Sequence, residues 1–298
     1  MPVAAKNAVV IVNPRSGLPF RRRQADEIAS LLAEAGVNNS IAVVSQHDNI
    51  GDIAREAVKQ GADVVVACGG DGTVSAVAAA LLGSQTALGV IPLGTLNHFA
   101  KDLHIPLNIA SAAHVISQAK IDFLDVGEVN GHIFVNNSSI GIYPAIVMER
   151  ERRRRTGRSK PVAFLQAMLQ ALRRYPFLDV RIDAKGDCSA QRTPFVFAGN
   201  NEYEIKGLHI GTRHSLNQGR LYLYVAAPVS RIGLFGLALA ALFGFIDKTK
   251  SLQMFGVPEA FIETRKRVIA VSADGEVLRL RTPLHYILRP RALKTIVP

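Results

Sequence analysis

The chain has 298 residues, of which 48% are hydrophobic and 20% charged. That composition excludes a disordered polymer and a coiled coil, and the length suits two globular domains. Two cysteines, Cys68 and Cys188, exclude a disulfide framework and a four-thiolate zinc site.

From the N-terminus, strand-like and helix-like runs alternate. Ala8–Val12 (AVVIV) is a short continuous apolar run, as a strand buried on both faces requires. A helix over Phe20–Glu34 follows and stops at Gly36, where a left-handed residue suits a helix end. Ser40–Val44 reads as a second strand and Ile50–Gln60 as a helix ending before Gly61. Asp63–Ala67 (DVVVA) is the third strand, Thr73–Leu82 the third helix and Leu88–Ile91 the fourth strand. Strands alternating with helices through short glycine-bearing connections predict a doubly wound parallel sheet.

Near residue 121 the pattern changes. Phe123–Val129 and His132–Asn136 flank Asn130-Gly131, a strong hairpin signal. Strand-like runs recur at Asp179–Ile182, Phe195–Ala198, Leu221–Val225, Val268–Ser272 and Val277–Leu280, interrupted by a basic helical segment around Val147–Arg174 and an apolar one at Ile232–Ile246. The expected architecture is α/β: a parallel-sheet domain over residues 1–126, then an antiparallel, β-sandwich-like domain over 127–298. The closing Leu288–Pro298 segment is a candidate to pack back on the first domain. The apolar stretch 232–246 is shorter than the ~20 residues a spanning helix needs, and the first residues do not read as a secretory signal. The expected location is cytoplasmic.

Three loops at the carboxyl ends of strands carry polar residues and glycine. They are Asn13-Pro14-Arg15-Ser16-Gly17, Gly69-Gly70-Asp71-Gly72-Thr73 and Gly94-Thr95-Leu96-Asn97. In an open α/β sheet, ligands bind at that edge, and glycine lets backbone N–H groups approach a phosphate at a helix N-terminus. Ser16, Thr73, Thr95 and Asn97 are candidate donors, and Asp71 suits a phosphate site if it faces bound Mg²⁺ or orients a donor. The loops match neither a Walker A loop nor the G-x-G-x-x-G fingerprint. Asp274-Gly275-Glu276 sits between two strand-like runs, so it reads either as a hairpin turn or as a pair of carboxylates projecting together.

N-P-R-S-G, G-G-D-G-T and P-L-G-T-L-N-H-F-A, in this order and with the late D-G-E, resemble the diacylglycerol kinase catalytic-domain family, which includes sphingosine kinases and bacterial lipid kinases. The resemblance covers nearly the whole chain. It implies transfer of the γ-phosphoryl group of ATP, with Mg²⁺, to a lipid hydroxyl. The three loops would hold the nucleotide, Asp71 would meet Mg²⁺ or orient the phosphates, and Asp274 and Glu276 would act on the acceptor. It does not separate those two carboxylates as base. A kinase of a soluble hydroxyl compound, NAD included, and a catalytically silent nucleotide- or lipid-binding protein stand as alternatives.

Two positions depart from the family pattern. His98 stands where members usually carry Asp after the Asn of G-T-x-N. The loop 211–219 has no carboxylate, whereas many bacterial members bind a structural Mg²⁺ there, so no structural metal is expected, with Arg213 supplying fixed charge.

The net charge of +11 is carried entirely by the second part, since residues 1–124 hold 9 basic and 10 acidic residues against 26 and 14 in 125–298. This predicts a polyanionic partner there. With no tryptophan and 6% aromatics, an anionic membrane surface is favoured over nucleic acid. The run Arg150–Lys160, with seven basic residues and one acidic, is the expected docking segment, helped by Arg173, Arg174 and Arg265-Lys266-Arg267. An oligomer is compatible with the sequence.

Overall fold

The computed structural model describes residues 7–16, 22–144, 177–184, 187–206, 209–226 and 252–298. Gly17, the segment Val147–Arg174 with the basic run Arg150–Lys160, and the apolar stretch Ile232–Ile246 lie outside the described residues. Among the described residues, no helix is long and apolar enough to cross a membrane.

The chain divides into two compact units. One comprises residues 1–126, 215–217 and 290–298, and the other 127–214 and 218–289. In the first, strands β1 (Ala8–Val12), β3 (Val64–Gly69) and β4 (Ala87–Pro92) are almost wholly buried, as their unbroken apolar runs require. β2 (Asn39–Val43) forms the half-buried edge. The order is β2-β1-β3-β4, every pair parallel, and β18 (Leu284–Ile296) reaches this unit at its end, where Thr295 pairs in parallel with Leu88. The chain leaves β1 toward β2 and then crosses to β3, so the direction of winding reverses between β1 and β3. That is the switch point at which such sheets open a crevice.

Helices cover this sheet. α1 (Arg22–Glu34) buries Ala25, Ile28 and Leu32 at helical spacing. It ends where Gly36 takes φ +81° and Val37 N–H returns to Leu32 O at 2.9 Å. α2 (Ile50–Lys59) is capped by Asn49, whose side chain accepts from Gly51 and Asp52 N–H. α3 (Asp71–Leu81) packs Val74, Val77, Ala78 and Leu81 inward. It begins two residues before the expected Thr73, so Asp71 and Gly72 belong to its first turn. A short α4 (His98–Asp102) and α5 (Ile109–Gln118), the latter capped by Asn108, follow β4. α1 packs with α5 and α2 with α3, two layers of a doubly wound fold.

The second unit is antiparallel. β5 (Ile121–Val129) enters it and turns at Asn130-Gly131, φ +47° and +84°, into β6 (His132–Phe134). Both turn residues are left-handed, as a two-residue hairpin turn of this kind needs. A six-stranded sheet runs β14 (Leu252–Val257), β13 (Leu221–Ala226), β10 (Phe195–Asn200), β7 (Asn137–Gly141), β16 (Val268–Ala273), β17 (Glu276–Arg281). A second layer pairs β9 (Asp187–Thr193), β8 (Leu178–Ala184), β15 (Glu259–Thr264) and the first half of β18. Alternate residues of both layers meet in one core, including Ile140, Val196, Leu223 and Val271 against Val180, Ile182, Ile262 and Tyr286. A small pair, β11 (Tyr203–Lys206) and β12 (His209–Arg213), stands apart.

Candidate functional site

In the first unit the tips of β1, β3 and β4 are tied together by their own side chains and backbone. Asn13 N–H donates to Cys68 O at 3.0 Å, and Leu93 N–H to Gly69 O at 2.9 Å. The buried Thr73 hydroxyl is the hub. Asn13 Nδ2 donates to its Oγ1 at 2.9 Å, and Ser16 Oγ lies 3.3 Å from the same atom. Thr73 thereby joins the first turn of α3 to the β1 loop, 60 residues away in sequence.

Glycine is required at two of these positions. A Cβ on Gly94 would lie 2.5 Å from Gly70 Cα, and one on Gly69 would lie 2.4 Å from Thr73 Oγ1. The β3 and β4 loops therefore approach to backbone contact. Asp71 and Asn97 also bind the third loop. Asp71 Oδ1 accepts from Phe99 N–H at 3.1 Å, while the Asn97 side chain accepts from Gly94 N–H at 3.0 Å and donates to Gly94 O at 2.8 Å. Asn97 is buried, with φ +52°, and both ends of its amide are spent on shaping its own loop. Thr95 and Arg15 are exposed, and Pro14 and Ser16 half-buried.

What the loops leave open is the start of α3. Gly70, its N-cap residue, supplies no side-chain cap. Thr73 and Val74 N–H both turn back to Gly70 O, while the N–H groups of Asp71 and Gly72 have no acceptor among the described residues. A Cβ on Gly72 would meet nothing within 4 Å. This is an uncapped helix start, with partial positive charge and free donors, beside two glycine-bearing tips.

A fourth tip borders the same edge and escaped the sequence reading. Val44 N–H donates to Val12 O at 2.9 Å, and the following turn closes through Ser45 N–H to Asp48 Oδ2 at 2.7 Å. Hydrogen bonds from Ser45 hold the Asp48 carboxyl below its ordinary value, and the charges of His47 and Arg15 act in the same direction. The only local signal was a cluster of turn formers, Ser45 to Asn49, before a capped helix. Cys68, beneath the site, is fully buried, and burial pushes its thiol far up, which suits packing and not nucleophilic chemistry.

In the second unit Asp274 and Gly275, φ +46° and +86°, form the two-residue turn between β16 and β17, with Ala273 opposite Glu276. The Asp274 carboxylate accepts three backbone N–H bonds, from Val135 at 2.7 Å, Asn136 at 2.8 Å and Asn137 at 3.0 Å. Glu276 is exposed, and its side chain makes no hydrogen bond among the described residues. The two carboxylates are thus unlike, one fastened to backbone and one free. Arg213 approaches the same segment. Buried to 4% exposure, its guanidinium donates to Val135 O, Asn200 O and Asn136 Oδ1 at 2.8–2.9 Å and stands over the Tyr203 ring. A fixed cation therefore sits among oxygens. No group of three His, Cys, Asp or Glu side chains among the described residues is placed to hold a metal.

Comparison with known proteins agrees with this architecture. Residues 7–129 match the diacylglycerol kinase catalytic domain, and residues 139–297, more than half of the chain, match the YegS C-terminal NAD kinase beta sandwich-like domain. A diacylglycerol kinase of Staphylococcus saprophyticus is 34% identical over 141 residues, covering 46% of this chain and 45% of that protein. One from Staphylococcus aureus strain JH9 is 30% identical over 199 residues, covering 65% and 62%. The matched stretch thus spans between about half and three fifths of these relatives. The solved structure of a putative diacylglycerol kinase from Bacillus anthracis str. Sterne shares the fold over 99% of both chains, with a TM-score of 0.78 at 24% identity. A second from the same organism, described as a diacylglycerol kinase, gives 0.73 at 22% over 99% of this chain and 97% of that one. By the order of its motifs, its two domains and these matches, the chain belongs to the diacylglycerol kinase catalytic-domain family.

Proposed function

We propose that this protein is a lipid kinase, transferring the γ-phosphoryl group of ATP to a hydroxyl of diacylglycerol or a related lipid. One observation carries the reading: three strand tips close on each other at the switch point and leave the first turn of α3 open. A triphosphate suits those donors. The Asp71 and Gly72 N–H groups point from an uncapped helix start, and the missing side chain of Gly72 lets a phosphate approach backbone. Mg²⁺ bound with ATP supplies charge neutralisation across the phosphates. Asp71 is the carboxylate of these loops suited to its water shell, because only one of its oxygens is engaged by Phe99.

On the acceptor side Glu276 is the better base. A general base needs a lone pair free for the incoming proton, and neither Glu276 oxygen is engaged among the described residues, whereas three N–H groups occupy Asp274. Asp274 then acts as a positioning residue that fixes the turn carrying Glu276. Thr73, Asn13 and Asn97 hold the loops in the shape that presents the donors. The names of the relatives favour diacylglycerol as the acceptor.

The test is incubation of the protein with radiolabelled Mg-ATP and a total lipid extract, with identification of the product. A labelled phospholipid is expected. Label on a water-soluble hydroxyl compound alone would select the soluble-substrate alternative, and nucleotide binding without any labelled product would select a silent binding protein.

A further inference from the structure

Strand register in the second unit gathers five cations from two separate stretches of sequence. β15 and β16 are joined by Arg265-Lys266-Arg267, and β16 pairs with β17 so that Val268 faces Arg281 and Ala270 faces Arg279. The turn is fixed to the residue after β17 by two bonds and to the end of β15 by a third. Thr282 N–H donates to Arg267 O at 3.0 Å, and the hydroxyls of Thr282 and Thr264 both donate to Lys266 O at 2.9 Å. All five cationic side chains are exposed. Arg265 pairs with Asp179 at 3.1 Å, while among the described residues the side chains of Lys266, Arg267, Arg279 and Arg281 have no ion pair or hydrogen bond. Among them Val268 is 45% exposed.

Two ordinary explanations fall short. β17 is the edge of its sheet, and charge on an edge strand blocks pairing with other chains. That accounts for Arg279 and Arg281, but not for a run of three cations on a connecting turn. A solvated surface intersperses both signs, yet here four cations stand unneutralised around an exposed valine. Fixed positive charge with an apolar side chain at its centre suits a surface that is anionic outside and apolar beneath. Nucleic acid offers the charge without the apolar layer, and the patch contributes no aromatic side chain for base stacking.

We propose that Lys266, Arg267, Arg279 and Arg281, with Val268, form a docking surface for an anionic lipid bilayer. The assignment rests on the lipid-kinase reading for its choice of partner. Each nearby Lys or Arg is worth about fivefold in affinity for an anionic leaflet, and the attraction falls with salt.

The test uses the full chain and a variant combining Lys266→Ser, Arg267→Ser, Arg279→Thr and Arg281→Thr. Co-sedimentation is measured with vesicles rich in phosphatidylglycerol and with pure phosphatidylcholine vesicles. The parent is expected to prefer the anionic vesicles and to lose binding at high salt, with the variant weaker by roughly several hundredfold. A second variant, combining Arg267→Lys, Arg279→Lys and Arg281→Lys, keeps the charge and is expected to keep binding, which separates lost charge from lost fold. Equal binding by parent and serine–threonine variant, no preference for the anionic vesicles, or displacement of the parent from vesicles by equimolar duplex DNA would each overturn the proposal. Turnover of a short-chain diacylglycerol dispersed as monomers keeps the two readings apart. No turnover by a parent that binds anionic vesicles sinks the kinase reading alone, and monomer turnover by a parent indifferent to those vesicles sinks the docking surface alone.

Discussion

Asp274 and Arg213 grip the same dipeptide from its two polar sides. The N–H groups of Val135 and Asn136 donate to the Asp274 carboxylate, while Val135 O and Asn136 Oδ1 accept from the Arg213 guanidinium. The connection between β6 and β7 is therefore held between an anion and a cation, and every polar atom it turns toward them is satisfied. Replacing Arg213 by Met would remove its three bonds, to Val135 O, Asn200 O and Asn136 Oδ1, and leave Val135 O with the Asn200 Nδ2 donor at 2.9 Å. At about 1 kcal/mol for each lost bond, a loss of roughly 3 kcal/mol is expected, read as a fall of about 5–10 °C in Tm by thermal unfolding.

The two carboxylates of the D-G-E segment should separate in a paired measurement. Asp274→Asn puts an N–H₂ against backbone N–H groups, so it is expected to lower Tm by several degrees through about 1–3 kcal/mol of lost hydrogen bonding. Glu276→Gln breaks no hydrogen bond among the described residues and should leave Tm unchanged, while lowering kcat about 10²- to 10⁴-fold through loss of the base. A Glu276→Gln enzyme with normal kcat would remove it from the mechanism.

Gly72 and Gly94 should respond in opposite ways to alanine. Gly72→Ala meets no neighbour and replaces a poor helix former in the first turn of α3, so stability should hold or rise by up to about 1 kcal/mol. Nucleotide affinity should nonetheless drop, as its methyl fills the approach to the free N–H groups. Gly94→Ala would press against Gly70 Cα and should lower both. Calorimetric titration with ATP beside a thermal melt reads the two effects.

Acid should loosen the Ser45–Asp48 turn late. Because its hydrogen bonds depress the Asp48 carboxyl in the folded state, the stability it contributes is fully present above the ordinary carboxylate range and is lost as pH falls through the lowered value. The Ser45 amide resonance, followed by NMR, should keep its folded shift until below the titration of the exposed carboxylates. A shift that moves with theirs would contradict this.

The parallel half was legible because its signals are local. AVVIV and the VVVA of residues 64–67 are short apolar runs of the length a strand buried on both faces takes, and the loops after them follow from chain order. Asn130-Gly131 and Asp274-Gly275 likewise form the turns their residues favour. What escaped depends on distant partners. β18 carries Pro290 inside the strand and a left-handed Arg291, φ +50°, so its thirteen residues show no clean alternation. α5 follows Pro106 closely and lacks charge on its apolar run, and β7, β14 and β15 are short runs broken by glycine or polar residues. The role of Asp274 was hidden most deeply, since its three donors lie 137 to 139 residues earlier.

The pairing of Thr295 with Leu88 bears on any attempt to dissect the protein. Excising residues 1–126 as a free-standing nucleotide-binding fragment would strip β4 of its outer neighbour, baring amide and carbonyl groups along a buried apolar strand of six residues. Such a fragment should self-associate. Grafting the last nine residues back through a flexible tether would restore the missing strand and keep it monomeric.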